Sequence, residues 1–293
     1  MSNFQSPGIQ ANNAFFYYAD LERATRFYAD IMGFRQVTDY GFARTFQIAA
    51  TSFLTLVDGN RTAMQHSLDE PKTVTLALVS QEVEGWLDYL RAQNVPIRND
   101  LNWKPDQPHD GFVALDPGGY FLEIERFNPH PENVQILPLL AALPAQPGAS
   151  GSSRPANLTI SATILWLYYQ DLAPIQRFFE ESLGLKLIVR QDFSDIYQSS
   201  ASGFLGPVNA ARGLHGYSEQ RCVTVSLITE DLEAWFEQLA HSTLFALRTE
   251  QIHKSERYQA VVGYDPANYF FEFTHFLAHS DNQKLLQALR TID

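Results

Sequence analysis

The sequence predicts an α+β protein: four βαβββ modules in two tandem domains, each a cupped mixed β-sheet flanked by helices. Three observations predict it. The chain repeats itself once along its length. Each half carries the order strand, helix, three strands twice over. Within the strands, apolar and mixed residues alternate, so each sheet has one dry face and one partly polar face.

The repeat organises everything else. Asp20-Leu21 opens a helix-like run ending in Met32-Gly33-Phe34, and Asp171-Leu172 opens a matching run ending in Leu183-Gly184-Leu185. That offset holds without a gap through Phe42/Phe193, Gln47/Gln198, Phe53-Leu54/Phe204-Leu205 and Arg61/Arg212. Two residues are then lost. Register resumes at Thr75/Thr224, Trp86/Trp235, Asp116-Pro117/Asp265-Pro266 and Glu123/Glu272. The predicted domains are 10–127 and 158–279. A linker spans 128–157, and a last helix spans 280–293.

In the first half, residues 13–19 are aromatic-rich and read as a strand. Asp20 is a good N-cap, Leu21, Ala24, Phe27, Tyr28 and Ile31 recur at helical spacing, and Gly33 stops the helix. Strands follow at 35–39, 44–48 and 53–57. The second unit repeats the order. A strand spans 73–79, and a helix spans 81–93 with Val83, Trp86, Leu87 and Leu90 on one face. Further strands lie near 97 and at 112–115 and 120–125, with Asp116-Pro117-Gly118-Gly119 as a hairpin turn. In the linker, 134–143 reads as a short apolar helix kinked near Pro138, followed by an Ala/Gly/Ser/Pro surface stretch. Ser280 to Gln283 reads as a capping box opening the last helix, with Leu285, Leu286 and Leu289 on one face.

Alternation assigns the faces. Val74, Leu76 and Leu78 oppose Thr73, Thr75 and Ala77; Leu122 and Ile124 oppose Phe121, Glu123 and Glu125. In the second half, Val223, Val225 and Leu227 oppose Cys222, Thr224 and Ser226. The apolar side packs on helices, and the mixed side lines a concave pocket.

Composition narrows the function classes. The 293 residues include 21 Phe, 13 Tyr and 4 Trp, and 45% are hydrophobic, enough for a large core. A net charge of −12 without a basic block excludes nucleic acid and anionic membrane as natural partners. One cysteine, Cys222, excludes an intrachain disulfide and a thiolate metal cluster. The opening residues show no leader pattern, and no apolar run approaches the ~18–20 residues of a membrane span. The expectation is a cytoplasmic protein, monomer or homodimer, whose partner is a small molecule.

The run DLERATRFYADIMGF, three strands, and then DPGGYFLEI resembles the vicinal oxygen chelate superfamily. That superfamily groups glyoxalase I, bleomycin-resistance proteins and extradiol dioxygenases. The resemblance covers about 13–127 and 162–277, and four modules resemble the layout of two-domain extradiol dioxygenases. It implies a divalent metal held by His (or Gln), His and Glu on the first strands and the last strand. The matching positions here are Asn13, Thr75 and Glu123 in one half and Ile164, Thr224 and Glu272 in the other. Only the glutamates match. Asn and Thr are weak ligands for zinc or iron, and Ile is none. The expectation is therefore no cofactor, with Asn13, Thr75 and Glu123 as the fallback metal set.

The candidate catalytic groups are Glu123, Glu272, His66 and His215. A buried carboxylate without a metal has a raised pKa that suits proton transfer near neutral pH. His66 and His215 each follow a matching arginine, five residues after Arg61 and three after Arg212. Each reads as a rim acid, base or unconventional metal ligand, or as a plain loop histidine. Candidate ligand contacts are Asn13, Tyr17, Gln47 and Thr75 in the first half and Trp166, Tyr168, Gln198 and Thr224 in the second. Two functions follow. One is an enzyme acting on a small aromatic or oxygenated molecule by isomerisation, lyase or ring-modifying chemistry. The alternative is a non-catalytic binding protein of the bleomycin-resistance kind.

Overall fold

The computed structural model describes residues 7–61, 65–101, 104 and 106–290; part of the segment read for a leader lies outside them. Module one runs β1 (Ala11–Tyr18), α1 (Leu21–Arg26), β2 (Arg35–Asp39), β3 (Ala43–Ala49) and β4 (Ser52–Asp58). Module two runs β5 (Val74–Val79), α2 (Val83–Ala92), β6 (Ile97–Asn99), β7 (His109–Leu115) and β8 (Phe121–Phe127). After the linker helix α3 (Ile136–Ala142), module three runs β9 (Ala162–Tyr169), α4 (Ala173–Arg177), β10 (Lys186–Arg190), β11 (Asp195–Gln198) and β12 (Gly203–Asn209). Module four runs β13 (Val223–Ile228), α5 (Leu232–His241), β14 (Ala246–Leu247), β15 (His253–Lys254), β16 (Tyr258–Tyr264) and β17 (Phe270–Phe276), with α6 (Gln283–Arg290) closing the chain.

Each sheet takes one module from each half. One has the strand order β14-β16-β17-β13-β1-β4-β3-β2, and the other β10-β11-β12-β9-β5-β8-β7-β6. In module one, β1 pairs in parallel with β4, which leaves the other edge of β1 free. That edge takes β13 of module four, antiparallel, with Asn13 opposite Ser226 and Phe15 opposite Thr224. Likewise β5 takes β9, with Thr75 opposite Trp166 and Ala77 opposite Ile164. Segments 10–127 and 158–279 are thus units of the repeat, while the cups are an outer pair (modules one and four) and an inner pair (modules two and three).

The repeat makes a pseudo-twofold contact with itself. Thr51 in the β3–β4 turn meets its counterpart Ser202 in the β11–β12 turn. The Thr51 amide donates to Ser202 Oγ and the Ser202 amide to Thr51 Oγ1, both at 2.7 Å. The apolar strand faces pack with Trp86 of α2 and Trp235 of α5 into one continuous core.

Three local readings change. The run from Leu21 to Ile31 is not one regular helix: α1 gives way to a wider turn at Phe27–Ile31, where the Met32 amide reaches back to the Phe27 carbonyl. Pro138 does not kink the linker helix. It sits in the first turn of α3, where its missing N–H is not required. The Ser280 capping box does not form; instead the His279 ring accepts from the Asp281 amide over a short 3₁₀ turn, Ser280–Asn282.

Turn chemistry fixes how the modules dock. Asp116 accepts from the Gly118 and Tyr120 amides of its own turn, and from the Tyr18 and Tyr28 hydroxyls of module one. Tyr120 then reaches into the outer sheet. Its hydroxyl donates to the Cys222 carbonyl at 2.6 Å and accepts from the Tyr17 amide at 2.9 Å. Tyr269 repeats this in the inner sheet, on the Thr73 carbonyl and the Tyr168 amide. Each pocket tyrosine is thereby pinned by a tyrosine of the opposite sheet.

Candidate active site

The outer-pair cup encloses a cavity of about 290 Å³. Phe15, Tyr17, Tyr40, Phe42, Tyr258 and Phe270 wall it, and Thr45, Thr55, Gln65, Thr224, Thr274 and Glu272 add polar groups. Period-2 alternation puts them there: Phe15 and Tyr17 on β1, Thr224 on β13, and Glu272 and Thr274 on β17. Glu272 is the one carboxylate among the described lining residues. Its Oε1 accepts from the Thr274 hydroxyl at 2.7 Å. Burial pushes its pKa up to about 7, and the Thr274 bond pulls the other way. Beside it in register stands Ser226, whose hydroxyl is buried without a protein partner among the described residues. Tyr17 and Thr224 share a hydroxyl–hydroxyl bond of 2.8 Å, and burial raises the Tyr17 pKa far above the ordinary phenol.

The inner-pair cup encloses about 240 Å³. Trp166, Tyr168 and Phe193 form its walls, and Glu123 and Glu125 of β8 face into it. Tyr168 repeats the Tyr17 bond, on Thr75 at 2.8 Å. Burial raises the pKa of both glutamates; for Glu125, repulsion from Glu123 adds to it. Glu125 is almost wholly buried, and its Oε1 has no hydrogen-bond partner among the described residues.

Of the residues expected at a site, Tyr17, Thr224 and Glu272 meet in the outer-pair cup, and Trp166, Tyr168 and Glu123 in the inner-pair cup. Thr75 stands under the inner-pair cup on Tyr168. Asn13 lies in the outer sheet with its amide spent on Thr55, in bonds of 3.0 and 3.2 Å. The fallback metal set is therefore divided: Asn13 is in one sheet, Thr75 and Glu123 in the other. Gln47 and Gln198 line neither cup. Gln198 ends β11 and Gln47 lies two residues before the end of β3; each donates to a carbonyl three residues on, Ala201 and Ala50, so their match across the halves reflects a turn.

His66 and His215 occupy equivalent places despite their unequal spacing. The His66 ring lies edge-on to Tyr17 at 5.1 Å and to Phe270 at 5.9 Å. His215 lies edge-on to Tyr168 at 4.9 Å and stacks on Phe121 at 4.0 Å. Each therefore buttresses its pocket tyrosine and is not among the described residues lining either cavity. Burial lowers both pKa values, to about 4 for His215. His66 differs in bonding Glu70, Nδ1 to Oε2, at 2.8 Å.

The donors fit poorly with the metal this fold commonly holds. The outer-pair row across β1, β13 and β17 is Asn13, Ser226 and Glu272; the inner-pair row across β9, β5 and β8 is Ile164, Ala77 and Glu123. The first offers one carboxylate and no imidazole, and the second is two-thirds hydrocarbon. Neither suits zinc or iron, which take three protein donors of His, Cys or carboxylate type at catalytic sites.

Paired βαβββ modules closing two cups define the fold class of this chain. Residues 10–124 match the Glyoxalase family, described as the glyoxalase/bleomycin resistance protein/dioxygenase superfamily. The matched segment belongs to that superfamily, and the second half of the chain repeats its pattern. No curated protein matches it. Among solved structures it is similar to a "putative dioxygenase" from Bacillus subtilis, at 14% identity and TM-score 0.64, covering 96% of this chain and 89% of that one. It is also similar to glyoxalase I from Zea mays, at 14% identity and TM-score 0.61, covering 97% and 95%. At such identities the likeness is one of fold. Among the described residues, no helix is long and apolar enough to cross a membrane.

Sequence reasoning placed Glu125 on the cup face without weighing it, and passed over Thr274. The signal was present. Glu123-Ile124-Glu125 aligns with Glu272-Phe273-Thr274, so the two cups differ by one polar group two residues after the shared glutamate.

Proposed function

We propose that the protein is an acid–base enzyme that holds a small, flat, oxygenated molecule in the outer-pair cup and moves a proton with Glu272. The observation that carries this reading is the carboxylate itself. It lines an aromatic-walled cavity, has a single side-chain hydrogen bond, and burial brings its pKa to about 7. Near neutral pH it is present in both forms, so it takes a proton from a carbon next to a carbonyl and returns it to another atom of the same substrate. The aromatic walls stack on a flat substrate. The Tyr17–Thr224 pair keeps one hydroxyl hydrogen beyond their mutual bond, and Ser226 has its own; these serve a substrate oxygen. An isomerisation, lyase or ring-modifying step fits this arrangement, and no step runs through a metal. Both cups are closed within one chain, so the reading needs no partner subunit.

Once a turned-over compound is found by screening, Glu272→Gln tests the reading. The expected loss in kcat is about 10²–10⁴-fold with ligand binding retained. Unchanged kcat removes Glu272 from the chemistry. The second reading, a protein that sequesters its ligand, is favoured by the aromatic walls and by the histidines standing outside the described cavity lining. Tight binding of a compound without turnover selects it.

A further inference from the structure

The inner-pair cup poses a problem that its twin does not. In the outer-pair cup, Glu272 receives the Thr274 hydroxyl. In the inner-pair cup, the matching position is a second carboxylate, Glu125, on the same strand face as Glu123 and lining the same cavity. No side-chain hydrogen bond reaches either glutamate among the described residues, and Glu125 is 1% exposed with Oε1 unpartnered. A buried carboxylate is stable only when neutralised or filled with donors.

The surrounding groups do not do this. Arg212, the one Arg or Lys in the described lining, pairs with Asp192 at 2.5 Å and lies over the Phe193 ring at 4.6 Å. His109 on β7 is half-buried, and desolvation lowers its pKa, which disfavours a charged imidazolium partner for the pair. What remains is an acceptor pair ringed by Trp166, Tyr168 and Phe193. Aromatic faces around such a carboxyl pair favour an organic cation with N–H donors, whose charge draws the carboxyls into their ionised form.

We propose that the inner-pair cup is a binding site for a small organic ammonium ion, whose N–H groups fill Glu123 and Glu125 and whose carbon body packs against Trp166, Tyr168 and Phe193. The cavity, about 240 Å³, takes a body of one ring. Ammonium is preferred over a neutral amide or alcohol because it supplies donors and charge together. Gly206 makes room for the cup's largest wall: a Cβ there would lie 2.1 Å from the Trp166 ring. The site is separate from the one assigned to Glu272, so either assignment can fail alone.

Titration calorimetry on the full chain at pH 7.5 tests this, with benzylammonium chloride as the probe and benzyl alcohol as its neutral counterpart. The expected result is one saturable site for the ammonium, with the alcohol at least tenfold weaker. Glu125→Gln should weaken ammonium binding at least tenfold, and Glu272→Gln should leave it within twofold. Should Glu125→Gln not fold, Glu123→Gln carries the same expectation, and the ammonium-to-alcohol contrast needs no variant. Equal binding of the alcohol, no saturable binding at millimolar probe, or binding unchanged in a folded Glu125→Gln protein overturns the proposal. So does displacement of the probe by stoichiometric calcium or zinc, which would make the pair a metal site.

Discussion

The two cups share a floor plan and differ in their furniture. Each has a tyrosine on its first strand, bonded to a threonine of the paired module and pinned from behind by a tyrosine of the other sheet. Each has a histidine packed on that tyrosine and a glutamate facing the cavity. Equivalent positions facing the cavities then diverge, among them Thr274 against Glu125, Phe15 against Trp166, Thr55 against Gly206 and Tyr258 against His109. Duplication preserved the hydrogen bonds that hold the backbone, while the groups facing the cavities changed. Scaffold and specificity are therefore carried by different residues of the same strands, and substitutions should separate them.

The largest expected effect lies in the scaffold. Asp116 and Asp265 are equivalent buried turn residues, but Asp116 accepts from two tyrosine hydroxyls and Asp265 from one, Tyr169. The second tyrosine, Tyr28, has Phe179 as its counterpart. Asp116→Ala removes the acceptor of two buried hydroxyls, which keep only their mutual 3.2 Å bond, and of the Gly118 and Tyr120 amides, an expected loss of about 4 kcal/mol. Asp265→Ala strands one hydroxyl fewer, for about 3 kcal/mol. Denaturant midpoints of the two variants check the ranking. Equal losses would mean that Tyr28 adds nothing and that the halves are equally braced.

Gly206→Ala comes next and tests the divergence of the walls. The new Cβ would stand 2.1 Å from a Trp166 ring carbon, so the indole must move. Overpacking of this kind costs about 2 kcal/mol. The expected pattern is loss of benzylammonium binding with any outer-pair ligand unaffected, since Thr55 already fills the matching place in that cup. A variant that binds both as before would show that Trp166 is not a wall of the inner site.

How much of this was legible in the sequence divides along the same line. The repeat and the alternation displayed the modules, the turn aspartates and the cup faces, because local periodicity determines them. The pairing of modules across the halves was not legible. A free β1 edge is satisfied equally by β5 or by β13, and the strand patterns do not distinguish them. That ambiguity is why Asn13 was grouped with Thr75 and Glu123, now in the other sheet. Gln47 and Gln198 misled because a match between halves marks shared structure as readily as shared function. The histidines, unequally spaced in sequence, still reached equivalent places, since loops absorb a difference of two residues while ring packing on a tyrosine fixes the end point.

The smallest effect concerns pH, and it sets the two glutamates against each other. Burial raises Glu272 from 4.5 to about 7 in the folded protein, while the unfolded chain ionises near 4.5. Below pH 4.5 the group is protonated in both states and costs nothing. Between 4.5 and 7 the unfolded chain ionises first, so ionisation favours unfolding and stability falls as pH rises. Above 7 the loss is complete. At 1.36 kcal/mol per pH unit the ceiling is about 3 kcal/mol, and the partial exposure of Glu272 reduces it to about 1–2 kcal/mol. Glu272→Gln, which cannot ionise, should therefore match the parent at pH 4 and exceed it by that amount at pH 8. Chemical denaturation across this range measures the difference. Glu125→Gln should show a larger gain over the same window, because Glu123 repels Glu125 and Thr274 steadies Glu272. A flat difference for both variants would mean that neither carboxylate is desolvated, and the electrostatic distinction between the cups would collapse. A gain for Glu272→Gln alone would leave the outer-pair acid–base group standing and remove the carboxylate pair on which the inner-pair site depends.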